Sequence, residues 1–352
     1  MTASLESQIK DEAHRLGFAL VGITSAETPP HYQAYEHWLA MGRQASMNYL
    51  GDDRARARRA DPKLILPECQ SIIVLGLGYS NPELVSTEVG QNQPRGRVAA
   101  YAWGMDYHLV MPSKLQVLVK FIETQTGQSI PNRLYTDTGP VLERDLAMRA
   151  GLGWIGKNTC LINPKHGSYF LLAEILLAYP LEPDAPFETD HCGTCTRCMD
   201  ACPTNCILPD RTLDAQSCIS FLTIENKNDI PESLRPAIGN WVFGCDICQM
   251  ICPWNKRFAA KEGDSSLAPR SSVAFPDLIN ELTFTTQEFN KKFKDSPIKR
   301  AKRKGYLRNV AVALGNAGDE KALPALEASG QDADSFVSDH VRWAQERIQK
   351  QR

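Results

Sequence analysis

The sequence lacks the features of several large classes of protein. No apolar run reaches the ~18 residues of a membrane-spanning helix, and residues 1–6 do not resemble a secretory signal. The formal net charge of −2 over 352 residues excludes a globally basic nucleic-acid-binding protein. Gly76 and Gly78 end an apolar run but lack the third glycine of a dinucleotide-binding fingerprint. These absences predict a cytoplasmic protein without membrane contact and disfavour NAD binding.

Cysteine, in contrast, is abundant, with 11 residues of which most fall in two short runs. The first run reads C-x2-C-x2-C-x3-C-P, the spacing that ligates iron–sulfur clusters in two-cluster bacterial ferredoxins. The second run reads C-x2-C-x3-C-P. Together the runs contain Cys192, Cys195, Cys198, Cys202, Cys245, Cys248 and Cys252. This pattern predicts two 4Fe–4S clusters.

The assignment of ligands follows from the rule that the cysteine before proline serves the other cluster. The first cluster is then expected to be held by Cys192, Cys195, Cys198 and Cys252, and the second by Cys202, Cys245, Cys248 and one further cysteine. Cys206 and Cys218 are both candidates for that position. Cys206 lies in a turn where it could be a small buried thiol, whereas Cys218 begins an apolar helical run, so Cys218 is favoured.

Two other uses of cysteine fit less well. A zinc ribbon needs two C-x2-C pairs for four ligands, which the triplet and the two Cys-Pro endings exceed. Disulfides are typical of secreted proteins, and this chain shows no secretory signal.

The alternation of helices and strands indicates an α/β domain over residues 1–183. Residues 158–162 and 168–178 are expected to form a hairpin. A two-cluster, ferredoxin-like domain is expected over 184–256. An all-α region over 257–352 contains one HEAT-like helical pair, which must pack on another element to bury its apolar face.

A basic segment precedes the last helices, and its centre contains Lys299, Arg300, Lys302 and Arg303. Such a run is commonly a solvated face. On a nearly neutral protein it also fits a local surface for phosphate groups. The sequence leaves both interpretations open.

Polar residues also converge in the expected α/β domain. Tyr107 and His108 lie on one connection, and Asp137 and Arg144 on another. Asp137 stands where a strand is followed by a helix, a common place for α/β active sites. It could equally be the N-cap of a helix beginning at Pro140. His108 could be an ordinary surface histidine, and Arg144 could pair with a neighbouring carboxylate.

Five motifs, taken together, resemble the epoxyqueuosine reductase family. They are Tyr101–His108, Thr136–Pro140, Gly151–Asn158, the cysteine pattern that the two runs form together, and Tyr306–Asn316. The resemblance implies a cobalamin-dependent enzyme that reduces epoxyqueuosine to queuosine at the wobble position of tRNA. It further implies that the α/β domain is similar to the cobalamin domain of reductive dehalogenases, and that the C-terminal helices are HEAT-like.

The resemblance also implies roles for single residues. Asp137 would protonate the departing epoxide oxygen, and a raised pKa would be expected for such an acid. Tyr107, His108 and Arg144 would support it. The weaker candidates for cobalamin contacts are Arg58, Asn158, Ser220 and Asp246.

The family binds cobalamin base-off, without a protein histidine on the cobalt. Asp106-Tyr-His108 agrees with this, since it lacks the later glycine of the Asp-x-His-x-x-Gly motif that supplies such a histidine elsewhere. Some members have a cysteine before the Tyr-Ala-x-Gly segment, where this chain has Ala99 and Ala100. An essential thiol is therefore not expected there.

The expected partners are tRNAs with GUN anticodons, which are those for aspartate, asparagine, histidine and tyrosine, together with an unidentified electron donor. A monomer is expected. Two rival functions are a two-cluster electron carrier with a helical docking arm and a reductive dehalogenase. The basic segment and the helical tail favour the tRNA-modifying enzyme, because a small-molecule enzyme has no use for them.

Overall fold

A computed structural model describes residues 3–80, 94–260, 263–332 and 335–350. The strands are β1 (Leu20–Ser25), β2 (Ser71–Gly78), β3 (Arg97–Val98), β4 (Asn132–Tyr135), β5 (Trp154–Ile155), β6 (Leu161–Ile162), β7 (Phe170–Leu177) and β8 (Trp241–Phe243). The first helices are α1 (Leu5–Arg15), α2 (Tyr32–Ala40), α3 (Asn48–Gly51), α4 (Asp53–Ala60), α5 (Tyr107–Thr126) and α6 (Glu143–Arg149). The short helices of the cysteine-rich segment are α7 (Arg197–Asp200), α8 (Ile219–Ile224), α9 (Arg235–Ile238), α10 (Ile247–Met250) and α11 (Pro253–Phe258). The last helices are α12 (Leu278–Leu282), α13 (Thr286–Lys292), α14 (Lys302–Ala317), α15 (Leu323–Asp332) and α16 (Ser335–Lys350).

A four-stranded sheet forms the centre of the N-terminal part, in the order β1-β2-β7-β4. All of its pairings are antiparallel. The mixture of helices and strands is as predicted, but the sheet does not have the parallel arrangement that an alternating order usually indicates. The predicted hairpin is wrong, since β7 pairs with β2 and β4, and only one bridge joins Asn163 to Gly167.

Both faces of the sheet are covered by apolar side chains, because β2 and β7 consist almost entirely of buried residues. Helices α1 and α5 pack on one face, where Ala173 and Ile175 of β7 join the main core. Helix α6 packs on the other face, where Leu172 and Leu176 join a second core. Glu174 is the single charged residue of β7, and it lies on the same face of the sheet as Leu172 and Leu176.

The cysteine-rich segment is built from one-turn helices that carry the cysteines near their ends. It is joined to the N-terminal part by the parallel pairing of β3 with β8. Asp246 strengthens this junction, since its Oδ2 accepts the backbone N–H of Ala100 at 2.7 Å.

The C-terminal part is helical, with α14 packed against α12 and α16. Helix α14 is buried over most of its length, and its Arg308 has no exposed surface. The Arg308 guanidinium donates hydrogen bonds to the carbonyls of Leu222, Asn226 and Asn228. The helical region is thereby fixed to the cysteine-rich segment. Among the helices that the structure describes, none combines the length and the apolar character needed to cross a bilayer.

Candidate functional site

The first group of cysteines surrounds a cavity of about 230 Å³. Its lining includes Cys192, Cys195, Cys198 and Cys252, the four residues predicted for the first cluster. A single ion would occupy a volume nearer that of one water-sized probe, about 10–15 Å³. The size of the cavity and its four thiols therefore fit an iron–sulfur cube better than one zinc ion.

Hydrogen-bond donors point at the sulfurs of this group. The indole Nε1 of Trp154 lies 3.4 Å from Sγ of Cys192. Cys252 is the N-cap of α11, and the backbone N–H groups of Trp254 and Asn255 are close enough to oppose the rise that burial causes in the pKa of its thiol. Such donors stabilise negative charge on thiolate ligands and so help to set the reduction potential of a cluster.

We expect Trp154→Phe to make the potential of the first cluster more negative by a few tens of millivolts, because the reduced cluster loses a hydrogen bond to its charge. For a one-electron couple this corresponds to less than about 1.4 kcal/mol. A redox titration followed by electron paramagnetic resonance would measure the shift. Trp254→Phe is the matched control, since Trp254 lines the same cavity by ring contact with Trp154. Equal potentials in wild type and Trp154→Phe would contradict the prediction.

A second group of cysteines lies between the end of β8 and the start of α8. Burial raises the pKa of the Cys245 thiol, and the neighbouring charges of Asp246, Cys218 and Cys202 raise it further. Cys248 is close enough to Cys245 and Cys218 for their charges to raise its pKa as well. The structure therefore brings together the four residues predicted for the second cluster.

The position of Cys206 bears on the choice between it and Cys218. Sγ of Cys206 lies 3.4 Å from Sγ of Cys202, and Cys206 also hydrogen-bonds Cys218. The Cys206 thiol lowers the pKa of both neighbours, while its own pKa is raised because it is the group that keeps the proton. A Cys206 thiol that keeps its proton can therefore donate a hydrogen bond to a neighbouring thiolate.

Cys218 has instead the local geometry of a ligand. It is the N-cap of α8 with φ −69° and ψ 125°, nearly the same as Cys252 at the start of α11, with φ −65° and ψ 123°. The backbone N–H groups of Phe221 and Ser220 are close enough to its sulfur to lower the pKa of the thiol. This similarity favours Cys218 over Cys206.

Cys160 was not predicted from the sequence to be near a cluster. Its thiol hydrogen-bonds Cys248, which lowers the pKa of Cys160. It belongs to neither run, so only the packing of the β5–β6 ribbon against α10 reveals the contact.

Asp137 stands at the end of β4 in a left-handed conformation, with φ 61°. This conformation is uncommon outside glycine, although aspartate and asparagine tolerate it better than most residues. The turn is closed by the backbone N–H of Asp137, which donates to Oε1 of Glu143 at 2.6 Å. Gly139 completes the turn, since a Cβ there would lie 2.5 Å from the ring of Tyr135.

The alternative role of Asp137 as a helix cap is wrong. Helix α6 begins at Glu143, several residues after Pro140, and its N-cap is Leu142. The Asp137 side chain is 65% exposed and faces the start of α5. Helix α6 ends at Arg149, and Gly151 follows it with φ 78°.

Tyr107 and His108, at the start of α5, are brought to Asp137 as a pair. The Tyr107 hydroxyl donates to Oδ2 of Asp137 at 3.0 Å, and Nε2 of His108 lies 3.7 Å from the same oxygen. On its other side, Nδ1 of His108 is 2.8 Å from Oδ1 of Asp106, the N-cap of α5. His108 is therefore held between two carboxylates.

This arrangement decides where the proton resides. The hydrogen bond to Asp106, followed by the interaction with Asp137, raises the pKa of His108 to about 9. The interaction with His108 lowers the pKa of Asp137, and the hydrogen bond from Tyr107 and the charge of Arg144 lower it further. The expectation of a raised pKa for Asp137 is wrong in this structure, because the imidazolium stabilises the carboxylate. Arg144 itself is exposed on α6.

Tyr101 connects this acidic site to the second cysteine group. Burial raises the pKa of Tyr101, and the nearby charges of Asp137 and Asp246 raise it further. Its ring contacts Tyr107 on one side and Phe243 of β8 on the other, both with centroids 6.2 Å away.

The four candidates for cobalamin contacts lie in different surroundings. Asn158 is buried, and its side chain contacts the backbone of Cys160 and Cys248. Asp246 is buried against Ala100, and burial raises its pKa to about 6. Arg58 on α4 and Ser220 on α8 are partly exposed and are more accessible to a ligand.

The basic residues divide into two kinds. Arg300 forms a bidentate ion pair with the Glu225 carboxylate, with N–O distances of 2.8 and 3.1 Å. Arg303 donates a hydrogen bond to the carbonyl of Phe284. Lys299 and Lys302 are exposed at the start of α14. The charge of Asp137 contributes to the raised pKa of Arg300, so the basic segment lies beside the acidic site.

Two family models match the chain. Residues 191–255 match the 4Fe-4S double cluster binding domain, which includes both cysteine runs. Residues 59–138 match the model described as Epoxyqueuosine reductase QueG, DUF1730, a segment that ends next to Asp137.

Similar proteins match nearly the whole chain. The epoxyqueuosine reductase of Xanthomonas campestris pv. campestris is 42% identical over 345 residues, which cover 96% of this chain and 94% of that protein. A crystal structure of an epoxyqueuosine reductase with an epoxyqueuosine-modified tRNA-Tyr stem loop is 29% identical, with a TM-score of 0.86 and coverage of 98% and 99% of the two chains. A structure of the Bacillus subtilis enzyme, with its catalytic aspartate loop swung out of the active site, is 32% identical, with a TM-score of 0.87 and coverage of 98% and 90%. The chain therefore belongs to the epoxyqueuosine reductase family of oxidoreductases.

Proposed function

We propose that this chain reduces epoxyqueuosine to queuosine at the wobble position of tRNAs with GUN anticodons, using cobalamin and two 4Fe–4S clusters. The observation that supports this most is a chain of contacts from Asp137 through Tyr107 and Tyr101 to Phe243, which is two residues before Cys245. A proton-handling site and an electron-carrying group are thereby neighbours. That is the requirement for removing an epoxide oxygen as water, which consumes two electrons and two protons.

The side chains around Asp137 fit base-off cobalamin without a histidine ligand. His108 is the histidine beside this site, and both of its ring nitrogens face carboxylates. With its pKa raised to about 9 it is protonated at neutral pH and has no lone pair for cobalt. Arg58 and Ser220 are partly exposed and could contact cobalamin directly. Asn158 and Asp246 are buried and would instead hold the backbone around the cobalamin site. Bound cobalamin would supply a metal centre that accepts single electrons from a cluster and transfers them to the substrate.

The proton steps use the residues at the ends of β4 and α5. Protonated His108 faces Oδ2 of Asp137, and Asp106 holds its ring in this orientation. We assign Asp137 as the group that delivers a proton to the departing epoxide oxygen after drawing it from His108. The low pKa of Asp137 in the free enzyme agrees with this role. A bound substrate would exclude water from Asp137, destabilise its carboxylate and so raise its pKa.

The basic segment is proposed as the surface that binds the phosphates of the anticodon stem. Its centre includes Arg300, whose guanidinium is close enough to Asp137 to respond to its charge. The last three helices, α14 to α16, are proposed to be the HEAT-like unit that supports this surface. We retain the three domains over 1–183, 184–256 and 257–352, a monomeric enzyme and an electron donor of unidentified type as parts of the proposal.

We expect the double variant Lys299→Gln and Lys302→Gln to weaken tRNA binding and to reduce the slope of log affinity against log salt by about two. Both side chains are exposed and each would release one counterion on meeting a phosphate. The matched control is Lys120→Gln with Lys165→Gln, which removes two exposed charges outside the segment. If the two double variants had equal slopes of log affinity against log salt, the basic segment would be an ordinary solvated face that does not bind tRNA.

The proposed reaction is tested by complementation. A bacterial strain that lacks its own epoxyqueuosine reductase should regain queuosine in its tRNA when it expresses this chain. Mass spectrometry of the digested nucleosides would measure the conversion. Persistent epoxyqueuosine in cells that contain the chain with both clusters and cobalamin would overturn the proposal.

A further inference from the structure

Glu174 is a carboxylic residue in the interior of the sheet. It lies in the middle of β7, opposite Val74 of β2 and Tyr135 of β4, and has no exposed surface. Its neighbours on the same face are Leu172 and Leu176. Neither of its carboxylate oxygens has a hydrogen-bond donor among the described residues.

Glu281 shows what a buried carboxylate normally requires. It is also almost fully buried, but it accepts hydrogen bonds from the ammonium of Lys292 and the hydroxyl of Tyr306. In the part of the chain that the structure describes, no cation or hydroxyl donates a hydrogen bond to Glu174. An isolated buried carboxylate is costly, and the usual outcome is that the group keeps its proton.

The group that does meet Glu174 is another carboxyl. The side chains of Glu143 and Glu174 are close enough to influence each other's pKa, and a hydrogen bond between two carboxyl groups requires that one of them is protonated. Glu143 is the first residue of α6, and its Oε1 accepts the backbone N–H of Asp137. The buried pair is thus connected directly to the left-handed turn that presents the proposed acid.

The charges around the pair agree with a retained proton. Burial first, and then the charge of Asp137, raises the pKa of Glu143 to about 7, although Arg144 opposes the shift. Burial, followed by the charges of Glu143 and Asp137, raises the pKa of Glu174 well above its usual range. Tyr135 faces the pair from β4, and the facing residue of β2, Val74, is apolar.

We propose that Glu143 and Glu174 share one proton and act together as a latch, in which Glu174 donates to Glu143 and Glu143 holds the backbone amide of Asp137. These are positioning residues for the reduction proposed above, and the inference rests on that function. Loss of the shared proton would place two adjacent negative charges beside Asp137. Mutual repulsion would then release Glu143 from the Asp137 amide and loosen the turn.

The direction of the pH dependence follows from linkage. A carboxyl whose folded-state pKa lies above its unfolded value contributes stability at low pH that is lost as pH rises. The shared proton is the last proton to leave the pair, so its loss belongs to the high pH range that the raised pKa of Glu174 indicates. Protection of the turn against hydrogen exchange should therefore fall as the pH rises through that range, by up to about tenfold per pH unit for the one shared proton.

Hydrogen exchange of residues 136–142, followed by mass spectrometry on the full chain with both clusters, tests the latch. Exchange is corrected for its intrinsic pH dependence and compared between pH 6 and 9. We expect protection against hydrogen exchange to fall as the pH rises in the wild type. It should fall less steeply in Glu174→Gln, because the glutamine amide donates to Glu143 but cannot lose a proton. Leu176→Ala is the matched control, because it loosens the same face of β7 without a change of charge. It should lower protection at every pH and keep the wild-type slope.

The same slope in Glu174→Gln and wild type would overturn the latch. Should Glu174→Gln fail to fold, Glu143→Gln removes the other half of the pair and should flatten the profile in the same way. The exchange is measured without tRNA, so its outcome is independent of the reaction. Missing queuosine in the complementation experiment would overturn the function alone, and a wild-type slope unaffected by either variant would overturn the latch alone.

Discussion

Asp137→Asn is expected to fold, bind both clusters and cobalamin, and lose about 10²-fold or more in the rate of epoxide reduction. Asparagine tolerates the left-handed conformation of residue 137, and its amide oxygen can still accept the Tyr107 hydroxyl. It cannot take a proton from His108 and pass it to an opening epoxide. Single-turnover assays on an epoxyqueuosine-containing anticodon stem-loop would measure the loss.

A second measurement separates this role from a merely structural one. Asp137 contributes to the raised pKa of His108, so the asparagine variant should lower that pKa from about 9. A nuclear magnetic resonance titration of the histidines would show the shift. A fully active asparagine variant would remove Asp137 from the proton path and leave His108 or Tyr107 as the donor.

Cys218→Ala is expected to abolish turnover, because the second cluster would lose a ligand and the path for electrons would be interrupted. The iron content should fall from about eight to about four atoms per chain, with a similar loss of sulfide. Cys206→Ala is the matched variant and should keep nearly all of its iron, since Cys206 is placed to donate a hydrogen bond to Cys202 and Cys218.

The two cysteine variants are to be compared under identical anaerobic reconstitution, with the absorption of the clusters as a second readout. The opposite pattern, in which Cys206→Ala loses half of the iron and Cys218→Ala keeps it, would reverse the assignment. A modest shift of the cluster potential in Cys206→Ala is compatible with its role as a hydrogen-bond donor.

The short-range patterns of the sequence were the most informative. The membership of the epoxyqueuosine reductase family, predicted from five motifs, is confirmed by relatives that match nearly the whole chain. The double-cluster domain predicted from cysteine spacing is confirmed by its family model. Spacing succeeds here because a cluster imposes a fixed geometry on residues that are close in sequence. The individual ligands remain predictions, although the structure gathers them in the two expected groups.

Features that depend on distant parts of the chain were missed. The alternation of helices and strands did not reveal that β7 lies between β2 and β4, so the local hairpin was wrong. The pKa of Asp137 could not be inferred either, because its cause is His108 on another element. Glu174 left a signal in the sequence, a lone carboxylate within an apolar strand. Its partner Glu143 became evident only when β7 and α6 were packed together.

The most direct test of the proposed chemistry uses purified protein with both clusters reconstituted. It is incubated with reductant and an epoxyqueuosine-containing tRNA stem-loop, with and without added cobalamin, and the nucleosides are analysed by mass spectrometry. We predict conversion to queuosine, seen as the loss of one oxygen, only when cobalamin is present. Equal conversion without cobalamin, or none with cobalamin bound and both clusters reduced, would contradict the account.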